Sequence, residues 1–559
     1  MGAENIVKTD VLVIGSGGAG LIAAIKAHEK KVKVLVVTKG KLLSGCTPIS
    51  MGGMNVALHP EDSQDIHFKD TVIGSDYLCN QKLVRIMVSE AYYRLRDLEN
   101  YGTIFVKENG RYKLFRFSGC SFPRAAISTE PYSGGFIRGL TNEVIRRDIP
   151  IYENTMITKL LKKDGCVVGA TGINFITGEF IVFNAKSTIL ATGGAGYLYS
   201  LTSNPSVMTG DGYALAYRSG AELIDMEFVQ FRSCIVHPPK LRGQPPPSDG
   251  LVTIGGRFYN AFGERYMKKY YPNKIEDVTR DEMMIAAHKE IKRGAGTVHG
   301  GVYNDLSGVK EEELYRFEAF VKSCKAEGID PTWQPIEWAP GAHHFMGGVV
   351  IDEKCETSIP GLFAAGEVTG GIHGGNRMGG NALTDAMVFG ARAGTFAAER
   401  ALSTNSHQDI DLEDVVVEKQ RISEFYGKKQ GVDPADVKRR IQKIMDEYVG
   451  VARNGEDLIK AVDELEKIRQ EMLPDICVSG ERELEKLCFA LEACGLLDVG
   501  LMISKAALMR CESRGAHLRE DYPQRDDKNW LKNIVIRKRD NRMELETRPV
   551  VFGELEPYK

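Results

Sequence analysis

The sequence predicts an α/β fold: a Rossmann-like nucleotide-binding sheet, interrupted by an inserted unit and followed by a helical unit. Three observations predict it. The apolar run Val11-Leu12-Val13-Ile14 leads directly into the turn Gly15-Ser16-Gly17-Gly18-Ala19-Gly20. Two more short apolar runs, far along the chain, exit into glycine at Gly193 and at Gly366. After residue 410 the texture changes to apolar residues at helical spacing amid dense charge. At 559 residues the chain exceeds one compact core, and at about 150 residues per unit three or four units are expected.

Residues 9–14 read as a buried parallel strand, 21–27 as a helix and 32–37 as the next strand. The turn between the first two is G-x-G-x-x-G in the setting that gives the motif physical meaning. Gly15 makes the turn, Gly17 lets backbone amides approach a pyrophosphate, and Gly20 lets helix and strand pack. The helix N-terminus then favours the phosphate charge. The acidic residue that recognises a ribose at the end of the second strand is absent, and Thr38 and Lys39 stand there instead. Ribose recognition is therefore arranged differently.

The turns at Ala191-Thr192-Gly193 and at Gly366-Glu367 suggest one extended cofactor gripped from three regions of sequence. The nucleotide-binding unit is expected over 1–234 and 346–405, with an insertion at 235–345. Over 410–520, Ile441, Ile444, Met445 and Tyr448, then Leu458, Val462 and Leu465, repeat at helical spacing. This predicts an antiparallel helical bundle that packs and docks partners without chemistry of its own. The polar tail, 521–559, is expected to wrap the surface, with a strand near 533–537.

Composition excludes several classes. Lys+Arg 72 against Asp+Glu 75 nets −3, so no basic field argues for nucleic acid. A hydrophobic share of 43% and a charged share of 26% exclude a disordered chain. No run is read as reaching the roughly eighteen apolar residues of a membrane span, and the early apolar run breaks into glycine before it resembles a signal peptide. A cytoplasmic chain is expected, touching a membrane only through partner subunits. Eleven cysteines are scattered without a C-x-x-C pair, so neither a metal site nor an iron–sulfur cluster is expected within the chain.

Further segments carry a resemblance: His67-Phe68-Lys69-Asp70, Thr209-Gly210-Asp211-Gly212, Asp225-Met226-Glu227-Phe228-Val229-Gln230, His343-His344-Phe345-Met346-Gly347-Gly348, Asn376-Arg377-Met378-Gly379-Gly380-Asn381 and Glu512-Ser513-Arg514-Gly515. With the glycine turns, and in this order from residue 9 to about 530, they resemble the flavoprotein subunit of the succinate dehydrogenase/fumarate reductase family, which includes L-aspartate oxidase. The resemblance implies an FAD-binding domain, an α+β capping domain in the insertion and a C-terminal helical domain. It implies hydride exchange between FAD and a C–C bond beside a carboxylate, a small carboxylate substrate and an iron–sulfur partner subunit. The cofactor residues it implies begin with Gly15, Gly17, Gly18, Ala19 and Gly20, then Thr38, Lys39, Ser44, Cys46 and Thr47. Gly52, Gly53, Ala191, Thr192, Gly193 and Asp211 follow, and Gly366, Glu367, Arg377, Asn381 and Leu383 complete them. Arg377 and His343 match the family's carboxylate-binding pair, and Arg280 its proton-shuttling arginine. A guanidinium with a pKa above about 12 serves as an acid only when desolvated and coupled to a relay.

Three positions depart from the family pattern. Cys46 occupies the place of the flavin-linking histidine, so FAD is expected to be non-covalent, which favours reductive use. Arg232 replaces a histidine, and Ser248-Asp249 replaces a Thr-Glu pair, which alters the pocket for the far carboxylate. Val252 replaces an arginine of the proton relay. Two other readings compete: an amino-acid oxidase like L-aspartate oxidase, and a flavin electron conduit with an altered substrate site.

Overall fold

The first sheet grows from the glycine turn. β1 (Asn5–Ile14) leads into α1 (Gly18–Glu29), which returns to β2 (Val34–Val37). The strands β3 (Ile151–Tyr152), β4 (Thr155–Lys163), β5 (Cys166–Asn174) and β6 (Phe180–Leu190) follow. The computed structural model describes residues 5–50, 52–117, 119–130, 134–426, 428, 430–479 and 483–557. Next come α2 (Asp211–Ser219) and β7 (Leu223–Ile224), then β8 (Val229–His237) and β9 (Arg257–Tyr259). α3 (Arg280–Glu290), β10 (Val302–Asp305) and β11 (Ile336–Phe345) come next, then β12 (Gly348–Val349), β13 (Leu362–Ala364) and α4 (Asn381–Ser403).

Among the described residues three sheets have four or more strands. In the first the order is β3-β2-β1-β6-β5-β4, with β13 also paired to β6. The pairs β1–β6, β1–β2, β2–β3 and β6–β13 are parallel, whereas β5 is antiparallel to both neighbours. The run Val11, Leu12 and Val13 is fully buried, so both faces of the sheet are covered there, and α1 and α4 pack against its strands. α1 packs closely on α4 because Gly390 and Gly394, one turn apart, leave room: a Cβ at Gly394 would stand 2.1 Å from the Ala23 carbonyl oxygen.

The second sheet, β8-β11-β10-β9, is antiparallel throughout. Ile235, Leu241, Leu306, Leu314, Phe320 and Ile336 give it a separate small core. It begins at Val229, before the boundary expected at 235, because β8 pairs along β11 from its first residue. α3 starts at a capping box: Thr279 Oγ1 accepts from the Glu282 N–H, and the Glu282 carboxylate accepts from the Thr279 N–H. That box fixes Arg280 in the first turn.

The tail does more than wrap the surface. β14 (Lys532–Arg539) and β15 (Arg542–Pro549) form a hairpin that completes a third sheet in the order β12-β7-β14-β15. Ile534, Val535 and Ile536 are fully buried, which explains why this polar segment folds inward. The helical unit includes α5 (Pro434–Tyr448), α6 (Gly455–Lys467) and α7 (Glu483–Met509). Ile441, Ile444, Met445, Leu458 and Leu465 are buried among these helices, and Tyr448 and Val462 half-buried. α7 corrects the expectation that nothing reaches membrane-span length and hydropathy: it passes both, yet 83% of its apolar window is buried inside the protein. Its apolar residues serve a core, so it is the central helix of the bundle.

Candidate active site

One continuous cavity opens at the ends of β1, β6 and β13 where they turn into glycine, and its empty space, counting the mouth, is about 1940 Å³. At one end the backbone defines the shape. Gly15 has φ +111°, and a Cβ there would lie 2.2 Å from the Ala191 carbonyl oxygen. A Cβ at Gly20 would lie 1.9 Å from the Gly15 carbonyl oxygen, so Gly20 serves packing. Gly17 differs, since the nearest atom to its added Cβ is 3.9 Å away, leaving open space above the N-terminus of α1. Its N-cap residue, Gly17, has no side chain to cap the terminus, and the first turn carries no acid, so it favours an anion. Ala19, Thr38, Ser44, Cys46, Gly52, Gly53 and Leu383 line the same end, with Ala191, Thr192, Gly193, Asp211 and Gly366. The Gly18 N–H donates to Thr47 Oγ1 at 3.0 Å. Thr192 Oγ1 is turned away from the cavity and buried against Gly212 of α2, where an added Cβ would lie 2.0 Å from it. These residues fit a dinucleotide.

The other end is built from side chains. Arg232, Arg280, His343, His344 and Arg377 line it, with Ser203, Asn204 and Phe317. Gln230 ties two of the cations together. Its Oε1 accepts from Arg280 Nη1 at 3.0 Å and from Arg377 Nη2 at 2.9 Å. Its Nε2 donates to Asn376 Oδ1 at 2.7 Å and to the Arg377 carbonyl at 2.9 Å. Asn376 Nδ2 in turn donates to Asp281, next to Arg280 on α3. Burial pushes the Asp281 carboxyl up to about 6 against the pull of Arg280.

A β-bulge places the histidines. The register between β8 and β11 jumps from Gln230–His344 to Phe231–Ala342, which leaves His343 unpaired between them. Bulges re-aim side chains beside functional sites, and here consecutive residues both reach the cavity. Burial, then Arg232, Arg377 and Arg280, hold the His343 pKa well below its ordinary value, so the ring stays neutral. Its Nδ1 lies 2.7 Å from Ser203 Oγ. His344 is likewise neutral through burial and Arg377, and its Nδ1 lies 3.5 Å from Glu367 Oε1. Burial pushes Glu367 up to about 7, against the Phe345 N–H that it accepts at 3.1 Å. The arrangement is a water-poor pocket rich in fixed positive charge, suited to a small anion with carboxylates.

Not every expected residue faces this cavity. Ser248 is fully buried inside the second-sheet unit, where its Oγ accepts from Asn304 Nδ2 at 2.7 Å; Pro245 and Pro247 line the cavity in its stead. The side chain of Asp249 lies outside the described residues. Asn381 is an anchor behind the wall: its Oδ1 accepts from Asn55 Nδ2 at 2.8 Å and its Nδ2 donates to Thr71 Oγ1 at 3.1 Å. Lys39 lines the cavity, but its ammonium is engaged by Asp211 and Glu492. Sequence reasoning missed Gln230, Ser203 and His344. Gln230 stood in a quoted motif two residues before Arg232, and that spacing on a strand was the available signal.

Comparison with known proteins identifies the scaffold. Residues 10–383 match the FAD binding domain family, and residues 438–559 the fumarate reductase flavoprotein C-terminal family. The chain is 41% identical to one of the subunits of the fumarate reductase (CoM/CoB) of Methanothermobacter marburgensis, over 96% of this chain and 98% of the relative. It is 33% identical to the L-aspartate oxidase of Streptomyces coelicolor, over 96% and 92%. A variant of the FrdA chain of E. coli quinol fumarate reductase superposes with TM-score 0.93 at 30% identity, over 99% of each chain. A glycine-lined dinucleotide cavity that ends in guanidinium groups thus sits on a scaffold shared along nearly its whole length, and the chain belongs to the fumarate reductase/succinate dehydrogenase flavoprotein family of FAD-dependent oxidoreductases.

Proposed function

We propose that the chain is the catalytic flavoprotein of a fumarate reductase-like complex and that it reduces the C–C double bond of a small dicarboxylate. The observation behind this reading is the convergence of Arg232, Arg280 and Arg377 on one wall, two of them bound to a single Gln230 oxygen. FAD, when bound along the glycine turns, supplies the hydride chemistry. Arg377 and His343 are assigned to one carboxylate, Arg232 to the other, and Arg280 to delivery of the proton. Guanidinium forks pair with carboxylates through two parallel hydrogen bonds and fix the plane of the substrate. In a desolvated pocket those cations also stabilise charge that develops on the substrate. Neutral His343 adds a hydrogen bond without adding charge, and Ser203 sets its ring orientation.

Arg280 belongs to the second-sheet unit and Arg377 to the loop before α4. We therefore read 229–345 as a cap whose seating completes the site. Burial, followed by the Glu367 charge, holds the Cys46 thiol well above its ordinary pKa. A protonated thiol is a poor nucleophile, which supports non-covalent FAD. Electrons are assigned to an iron–sulfur partner subunit, a role that suits a chain similar to one subunit of a multi-subunit fumarate reductase. Co-purification with an iron-containing chain tests that assignment.

The main test is anaerobic photoreduction of the flavin, followed by addition of fumarate and related unsaturated acids. Rapid reoxidation by at least one of them is expected, and failure of all would sink the reading. The resemblance to an L-aspartate oxidase supplies the second reading, and peroxide release with aspartate would decide for it.

A further inference from the structure

The exit of β2 lacks the acid that would recognise a ribose, and the structure places a charged side chain there. Lys39 Nζ lies 2.8 Å from Asp211 Oδ2 and 2.9 Å from Glu492 Oε1. It also donates to Thr209 Oγ1, which itself donates to Asp211 Oδ1 at 2.8 Å. On the far side Lys438 Nζ meets Glu492 Oε2 and sits 4.3 Å from the Phe489 ring centroid. The charges alternate: Asp211, Lys39, Glu492, Lys438. Side-chain exposure is 14%, 12%, 5% and 9% along that row, so little water screens them. Lys39 and Asp211 line the dinucleotide end of the cavity. Glu492 and Lys438 do not; they belong to α7 and α5 of the helical unit.

We propose that Glu492 is a positioning residue of the FAD site: it holds Lys39, and through Lys39 the cavity-lining Asp211, in the arrangement that receives the dinucleotide. The reason is charge balance in a buried place. Burial alone works against the Lys39 charge, and Asp211 and Glu492 together outweigh it, keeping the pKa above its ordinary value. The two lysines hold Glu492 below its ordinary pKa against burial. Without the Glu492 charge, Lys39 keeps only Asp211 as its carboxylate partner, and Lys438 faces it across a neutral gap. A buried charge stripped of a partner forces rearrangement. Lys39 and Asp211, already in contact at 2.8 Å, are then no longer tethered to α7 and shift as a pair, and the cavity loses the acid and the base that shape its wall. FAD affinity thereby depends on a residue of the helical unit, although that unit contributes nothing to the glycine turns. The inference rests on FAD as cofactor and is independent of which acid is reduced.

The test measures FAD binding to the flavin-free full chain by fluorescence, for the native protein, Glu492→Gln, Lys39→Met and the double variant. Glu492→Gln is expected to weaken FAD about tenfold, in line with loss of one buried charge pair. Lys39→Met is expected to do the same, and the double variant no more than Lys39→Met alone, because the effects share one path. Glu492→Asp, which keeps the charge, should return affinity to within about threefold of native. Native affinity in Glu492→Gln with a lowered melting temperature would show a purely structural role and overturn the proposal. Effects that multiply in the double variant would overturn the route through Lys39. Should Glu492→Gln not fold, Lys39→Met still decides, since native FAD affinity in that variant also refutes the proposal.

Discussion

The two ends of the cavity meet negative charge by different means. At the nucleotide end the donors are backbone groups at glycine turns, and the constraint is space: Gly15 and Gly20 have no room for a methyl group, while Gly17 opens to the ligand. At the substrate end the donors are guanidinium groups from three separated segments, held by Gln230 and a bulged strand. The first end is therefore sensitive to added atoms and the second to lost charge.

Substitutions at each end sharpen that contrast, and the largest effect belongs to the first. Gly15→Ala forces a Cβ against the Ala191 carbonyl at a φ that alanine rarely adopts. The purified variant is expected to be colourless, and full flavin content would break the comparison. Arg377→Ala should instead retain flavin yet slow its reoxidation by unsaturated dicarboxylates about a hundredfold, the usual effect of removing one transition-state donor. Gln230→Leu removes no charge but deprives buried Arg377 and half-buried Arg280 of their shared acceptor. A loss of about tenfold in that rate is expected, consistent with one charge-assisted hydrogen bond.

Smaller effects come from the groups between the ends. Glu367 is held near 7 in the folded chain, above the ordinary 4.5. The unfolded chain releases this proton first as pH rises, so the residue costs stability progressively between about pH 4.5 and 7. The melting temperature of flavin-free Glu367→Gln should gain on native across that window and hold the gain above it. Cys46→Ala should change least: flavin content, and its release on acid precipitation, should match native protein. Flavin that stays with precipitated native protein but not with the variant would contradict the non-covalent reading.

Legibility followed the same division. Gly15, Gly17 and Gly20 announced themselves because a turn, a close approach and a packing contact each demand glycine locally. Arg280 and Arg377 carried no local signal and entered through family resemblance. Gln230 and His344 depend on strand register, and a one-residue bulge at His343 cannot be read from composition. Ser248 misled because the short helix Ser248–Leu251 turns its hydroxyl toward Asn304, a contact set by tertiary packing. The acids along α7, Glu485, Glu492 and Asp498 among them, interrupted its apolar run and hid a core helix. Glu492 is one of them, and its partner Lys39 stands far earlier in the chain.

The central claim is that an anionic substrate sits against the flavin within the guanidinium wall. Titrating the oxidised protein with malonate, a dicarboxylate that cannot be reduced at a C–C double bond, tests it most directly through the flavin absorbance. The account predicts a saturable spectral shift whose dissociation constant rises at least tenfold in Arg377→Ala, as for a lost buried charge-assisted pair. No shift at any concentration, or the same constant in both proteins, would contradict it.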